Sequence, residues 1–187
     1  MRLFVAVVPD EAALDALARA VDPLRELPGG PRWTARSLWH LTVAFLGEVD
    51  PDRLPRLEAA LEAAARATAP FELRLSGAGT FPPSGAARVL WTSVAGDVPT
   101  LRRLAAAVRR AARSARVEPD GQRYTPHLTL GRWRPGAGGE RRGAGELAGY
   151  QGPASRIDEL VLFRSHLGPA PRHERLRGFP LAGGHQA

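Results

Sequence analysis

Tyr124-Thr125-Pro126-His127-Leu128-Thr129-Leu130-Gly131-Arg132 contains a tripeptide, His127-Leu128-Thr129, that the chain has already used once. The earlier copy is His40-Leu41-Thr42, within Trp39-His40-Leu41-Thr42-Val43-Ala44-Phe45-Leu46-Gly47. Each copy has the alternation of a short strand, on which successive side chains point to opposite faces. His and Thr then share one face, while Leu41 and Val43, or Leu128 and Leu130, turn the other way into a core. Two identical polar pairs on the open faces of two strands imply a symmetric site.

The histidines stand 87 positions apart, and sliding the chain by that one offset aligns far more than the motif. The strand expected at 2–8 falls on 89–95. Leu14, Leu17 and Val21 fall on Leu101, Leu104 and Val108, so the apolar stripe of one helix lands on that of another. Leu73 and Leu75 fall on Leu160 and Leu162. The helices read from about Asp10 (a natural N-cap) to Leu27, from Pro51 to Thr68, and from Pro99 to Arg116. Strands read at 38–46, 71–75, 88–95, 126–134, 157–164 and 174–181. The helix at 51–68 has no counterpart; the shift places there a Gly- and Arg-rich connection, 135–149, expected to be a mobile loop with at most a short helix. The expected fold is therefore α+β: one bilobal domain over 1–187, built from repeats at roughly 2–81 and 88–168, with a disordered tail near 183–187. Antiparallel sheets with flanking helices would surround a pseudo-twofold axis, and both His–Thr pairs would line a central cleft.

Composition narrows the function classes. With 44% hydrophobic and 24% charged residues the chain is an ordinary globular domain, and no apolar run is long enough to cross a membrane. The N-terminus lacks a signal-peptide pattern and there is no Cys, so a cytoplasmic protein without disulfides or a thiolate nucleophile is expected. All 26 basic residues are Arg, giving a formal charge of +7. Without Lys there is no Walker-type phosphate loop, Schiff base or lysyl-nucleotide intermediate. A codon bias accounts for Arg as the base of choice; the excess of guanidinium still suits a polyanionic partner.

A lone His-Leu-Thr on a strand is usually structural. Repetition at equivalent positions reverses that reading, because packing gives no reason to duplicate an exposed imidazole. Imidazole titrates near neutrality, so His40 and His127 across one cleft can act as a neutral base and a protonated acid. One activates water, the other protonates a departing oxygen, and Thr42 and Thr129 hydrogen-bond non-bridging oxygens, which is displacement at phosphorus without a cofactor or metal. Symmetry leaves open which imidazole does which. Arg132, at the strand end, is a candidate phosphate clamp. Tyr124 and Phe45 are candidate stacking surfaces for a base; they make the rim asymmetric, since the shift matches Tyr124 to Ser37 and Phe45 to Arg132. Zinc would need three or four convergent ligands, and no His-x-His or His-Glu-x-x-His spacing supplies them, although His166, His173 and His185 are further imidazoles. His166 reads as a surface residue and His185 as part of the tail.

The paired motifs, with Arg2-Leu3-Phe4-Val5-Ala6-Val7, Gly77-Ala78-Gly79-Thr80-Phe81-Pro82, Val89-Leu90-Trp91 and Leu162-Phe163-Arg164-Ser165, resemble the 2H phosphoesterase superfamily. Within it they look like the RNA 2',3'-cyclic phosphodiesterases, also called 2'-5' RNA ligases. The resemblance implies metal-independent hydrolysis of an RNA-terminal 2',3'-cyclic phosphate to a 2'-phosphomonoester. It implies His40 as the acid for the 3' oxygen, His127 as the base for water, and Thr42, Thr129 and Arg132 on the phosphate. The substrates implied are RNA ends, such as tRNA fragments, or small cyclic nucleotides, taken by a monomer. Competing expectations are ATP-independent 2'-5' ligation and a non-catalytic Arg-rich RNA-binding protein. Two positions depart from the family pattern: Trp39 replaces a smaller apolar residue before the first His, and His173 stands where Tyr is common.

Overall fold

The computed structural model describes residues 1–83, 85–121, 123–134, 142–168 and 171–183. In chain order the elements are β1 (Arg2–Val7), α1 (Glu11–Val21), β2 (Arg32–Trp33), β3 (Leu41–Glu48), α2 (Leu54–Arg66), β4 (Phe71–Phe81) and β5 (Val89–Gly96). There follow α3 (Val98–Ser114), β6 (Leu128–Arg132), α4 (Arg142–Glu146), β7 (Gln151–Ile157), β8 (Glu159–His166) and β9 (Arg172–Pro180). Short 3-10 turns extend α1 through Glu26 and lead into α2 from Pro51, which accounts for the longer helices expected there.

The α+β class is as expected, but the strands form one curled sheet rather than separate ones. Its order is β7-β4-β5-β6-β3-β1-β8-β9, with β2 added on β6, and every pairing is antiparallel. The 87-residue shift carries β1 to β5, β3 to β6 and β4 to β8. Read outward from the centre, one arm is β6-β5-β4-β7 and the other β3-β1-β8-β9. Each arm thus takes its third strand from the other half of the sequence: β4 completes the arm begun by β5, and β8 the arm begun by β1. The helices cross as well, α1 packing on β7 and β4, and α3 on β3 and α2.

The local causes repeat with the shift. Asp10 caps α1 by accepting from the Ala13 N–H at 2.9 Å. Asp97, 87 residues on, caps α3 by accepting from the Thr100 N–H at 3.0 Å. Leu14, Leu17 and Val21 are buried, and so are Leu101, Leu104 and Val108. Each such side chain stabilises the fold by roughly 1.5–3 kcal/mol.

β7 was not expected. Gln151-Gly152-Pro153 has poor strand propensity, but β7 is an edge strand, where a proline's missing N–H is no defect. The expected 135–149 loop contains α4; its residues 135–141 lie outside the described residues, as do 184–187 of the tail. Gly183, at the head of that tail, is held by its N–H to the Thr68 carbonyl at 3.0 Å. No helix among the described residues is long and apolar enough to cross a membrane.

Candidate active site

The two arms meet at one bridge, Leu41 with Leu128, which are themselves 87 positions apart. Both leucines are fully buried beneath the sheet. Their neighbours alternate to the opposite face. Continued one residue either way, the antiparallel register sets His40 against Thr129 and Thr42 against His127. The four residues therefore form a cross on the floor of a cleft of about 1030 Å³, and all four line it.

Each imidazole is held in the same way. His40 Nδ1 and the Leu38 carbonyl oxygen are 2.7 Å apart, and His127 Nδ1 and the Thr125 carbonyl oxygen are also 2.7 Å apart. A carbonyl only accepts, so Nδ1–H donates in both, and each neutral ring presents its Nε2 lone pair to the cleft. His40 Nε2 receives the Thr42 hydroxyl at 3.0 Å.

Aromatic walls fix the rings. Phe4 packs on His40 with centroids 4.8 Å apart, and its shifted counterpart Trp91 lies 6.1 Å from His127. Phe81 stands edge-on to His127 at 5.0 Å. Burial pushes His40 down to about 4, with His173 and His127 adding unfavourable positive charge. Burial also lowers His127, and Arg132 lowers it further. At neutral pH the unliganded site holds two bases.

Trp91 reaches its place because its partner across the β4–β5 ladder is Gly79, where an added Cβ would overlap the indole ring. Gly79→Ala should cost roughly 1–3 kcal/mol through overpacking. It should also slow turnover, because the displaced indole is pushed toward His127. Urea midpoints and kcat measured on the same preparation check both effects.

Arg132 and Phe45 line the cleft, and Phe45 is 48% exposed there, as a stacking surface requires. Tyr124 does not line it, contrary to expectation. It lies in the segment before β6, where its ring packs against the core, and its hydroxyl is buried without a partner. Trp39, one residue before His40, is likewise buried in the core. His166 is paired with Glu174 at 2.7 Å on the β8–β9 surface. His185 lies outside the described residues.

His173 does enter the cleft, edge-on to His40 at 5.1 Å. Arg2, Arg32, Trp33 and Arg134 also line it and went unnoticed in the sequence. No local signal marks them: Arg32 lies beside the motif strand only because β2, two residues long, pairs with β6 and sets Arg32 opposite Arg132. Among the described residues no three His, Cys, Asp or Glu side chains converge as metal ligands.

Two anchored imidazoles, two hydroxyls and a rim of guanidinium groups on a curled antiparallel sheet make a site for proton transfer at a bound anion. The chain belongs to the 2'-5' RNA ligase superfamily, whose family model matches residues 13–169. It is 32% identical over 182 residues to the RNA 2',3'-cyclic phosphodiesterase of Geobacillus stearothermophilus, covering 96% of this chain and 57% of that protein. The chain thus spans little more than half of that relative's length. With the RNA 2',3'-cyclic phosphodiesterase of Methanothermobacter thermautotrophicus it shares 30% identity over 172 residues, 91% of this chain and 92% of that one. The fold superposes on the crystal structure of TT0787 of Thermus thermophilus with a TM-score of 0.83 at 31% identity, covering 99% of this chain and 100% of that one. With E. coli LigT complexed with NADP+ the TM-score is 0.75 at 26% identity, over 97% and 98% of the two chains.

Proposed function

We propose that the chain opens RNA-terminal 2',3'-cyclic phosphates to 2'-phosphomonoesters by acid–base catalysis between His40 and His127. The observation that carries this reading is the cross of His40, Thr42, His127 and Thr129 about the Leu41–Leu128 bridge, which we read as the pseudo-twofold axis of a duplicated fold. His127 Nε2 takes a proton from water as the water oxygen bonds to phosphorus. The P–O3' bond breaks, and the proton on His40 Nε2 passes to O3'. Thr42, Thr129 and Arg132 hold the non-bridging oxygens, where negative charge grows. No metal is used in these steps, and EDTA should leave turnover unchanged.

The test is product analysis on an oligonucleotide ending in a 2',3'-cyclic phosphate, with wild type, His40→Ala and His127→Ala. A 2'-phosphate from the wild type and loss of turnover in both variants support the reading; near-normal turnover in either variant overturns it. The family description gives a second reading, in which a 5'-hydroxyl replaces water and the product is a 2'-5' linkage. Incubating two RNA pieces without ATP decides that, and no joined product removes it.

The low His40 value also sets a pH prediction. The acid must be protonated, so activity falls as pH rises through the His40 value. In the free protein that value is about 4. A bound phosphate anion stabilises imidazolium and raises it. The basic limb of kcat, which reports the complex, should therefore lie at least about one pH unit above that of kcat/KM, which reports the free protein. Coincident limbs would argue against His40 as the acid.

A further inference from the structure

α1 and α3 are equivalent under the 87-residue shift, down to their aspartate caps, yet their flanks carry opposite charge. Residues 10–29 hold five acidic residues and two arginines, whereas residues 97–116 hold one acidic residue, the cap Asp97, and six arginines. A preference for Arg over Lys explains which base is used. It does not explain why acid disappears from one helix and not from its twin.

The placement of these arginines is equally specific. Arg102, Arg109 and Arg113 follow at i, i+7 and i+11, within about 20° of one line and along about 16 Å of helix. Arg110 and Arg103 lie about 80° and 100° round the helix from that line and widen it into a basic face, and the exposed Arg116 follows just past the helix end. Arg102 donates to the Tyr124 carbonyl at 3.3 Å, and Arg109 to the Asp120 carbonyl. Carbonyls leave the guanidinium charge uncompensated. Arg113 meets Glu118 at 3.1 Å, but both side chains are largely in solvent and such a pair is weak. The two carbonyl contacts lay the stripe beside residues 117–121 and 123–127; Glu118, Pro119 and Asp120 line the cleft, and so does His127. The stripe is one loop's width from the reacting end.

We propose that this stripe is a second RNA contact, holding the phosphodiester backbone of the strand whose cyclic-phosphate end occupies the cleft. The proposal rests on the RNA reading above. Guanidinium forks match phosphate oxygens, and backbone contacts of this kind are independent of sequence and steeply dependent on salt. Bases need not be read there, so the stripe selects for strand length rather than for sequence.

The test uses a triple variant, R110Q/R113Q/R116Q, which spares the two arginines that brace the loop. A matched control, R19Q/R66Q/R156Q, removes as many exposed arginines from other faces. Binding of an RNA of about 20 nucleotides is titrated across salt concentrations, and kcat/KM is measured on a mononucleoside 2',3'-cyclic phosphate. The triple variant should bind the RNA roughly tenfold more weakly and flatten the slope of log K against log salt by about 2, near 0.7 per lost contact. Its kcat/KM on the mononucleoside should equal that of the wild type. An unchanged slope, an equal loss in the control, or no RNA binding by the wild type overturns the stripe. Failure of the wild type to open the mononucleoside would instead overturn the proposed reaction, and the binding comparison would still decide the stripe.

Discussion

His127→Ala should lower turnover of a 2',3'-cyclic phosphate end by roughly 10²–10⁴-fold, the span usual for one general acid or base. The fold should survive, since His127 caps no element and its Nδ1–H binds only the Thr125 carbonyl. His40→Ala should lose a similar factor. It also removes an imidazole whose burial disfavours charge, so its stability below pH 6.5 should decline less than that of the wild type. The sign follows from the shift: a folded value of about 4 below an ordinary 6.5 means that the fold disfavours protonation. That stability is whole above pH 6.5 and is lost as pH falls toward 4. The His40→Ala/His127→Ala double variant should be little worse than either single one, because both groups serve one transition state. A double loss equal to the product of the single losses would mean two independent contributions and would argue against the concerted pair.

The floor of this site was legible because it obeys local rules. His and Thr two apart share a strand face, and one constant shift finds the second copy. The caps Asp10 and Asp97 and the apolar stripes behind them are equally local. What escaped the sequence depends on pairing between distant segments. Nothing in 71–81 announces that β4 joins β5 and the second half's motif strand rather than the first half's. Arg32 reaches the cleft only because β2 pairs with β6, and no periodicity marks it, Arg2 or Arg134. β7 escaped because its Gly-Pro composition is tolerated at an edge. Tyr124 shows the reverse error: proximity to His127 in sequence suggests a shared wall, but Tyr124 precedes β6 and packs against the core instead. His173 departs from the family pattern in sequence, but only the β8–β9 pairing, which sets it opposite Ser165, brings it beside His40.

The seam itself carries the other large effect. Leu128→Ala should destabilise the protein by about 2–5 kcal/mol, the usual cost of emptying a fully buried leucine site. That is a substantial part of the roughly 5–15 kcal/mol that holds a typical domain. Leu130→Ala is the control: it lies on the same strand, is buried to the same extent, and should cost a similar amount. The two should part company on activity. Leu128 faces Leu41 at the one bridge joining the arms, so relaxation into its cavity changes the spacing of His40 and His127 above it. A misplacement of about 1 Å between reacting groups costs on the order of 10²-fold. Leu128→Ala should therefore lose far more turnover than Leu130→Ala at matched stability, assayed well below either melting temperature. Leu41→Ala should mirror Leu128→Ala, and combining the two should show a coupling energy of about 0.5–3 kcal/mol because the side chains share one contact. Equal activity of the Leu128 and Leu130 variants would mean that each arm positions its own histidine. The pair's geometry would then come from the Leu38 and Thr125 carbonyl anchors rather than from the seam.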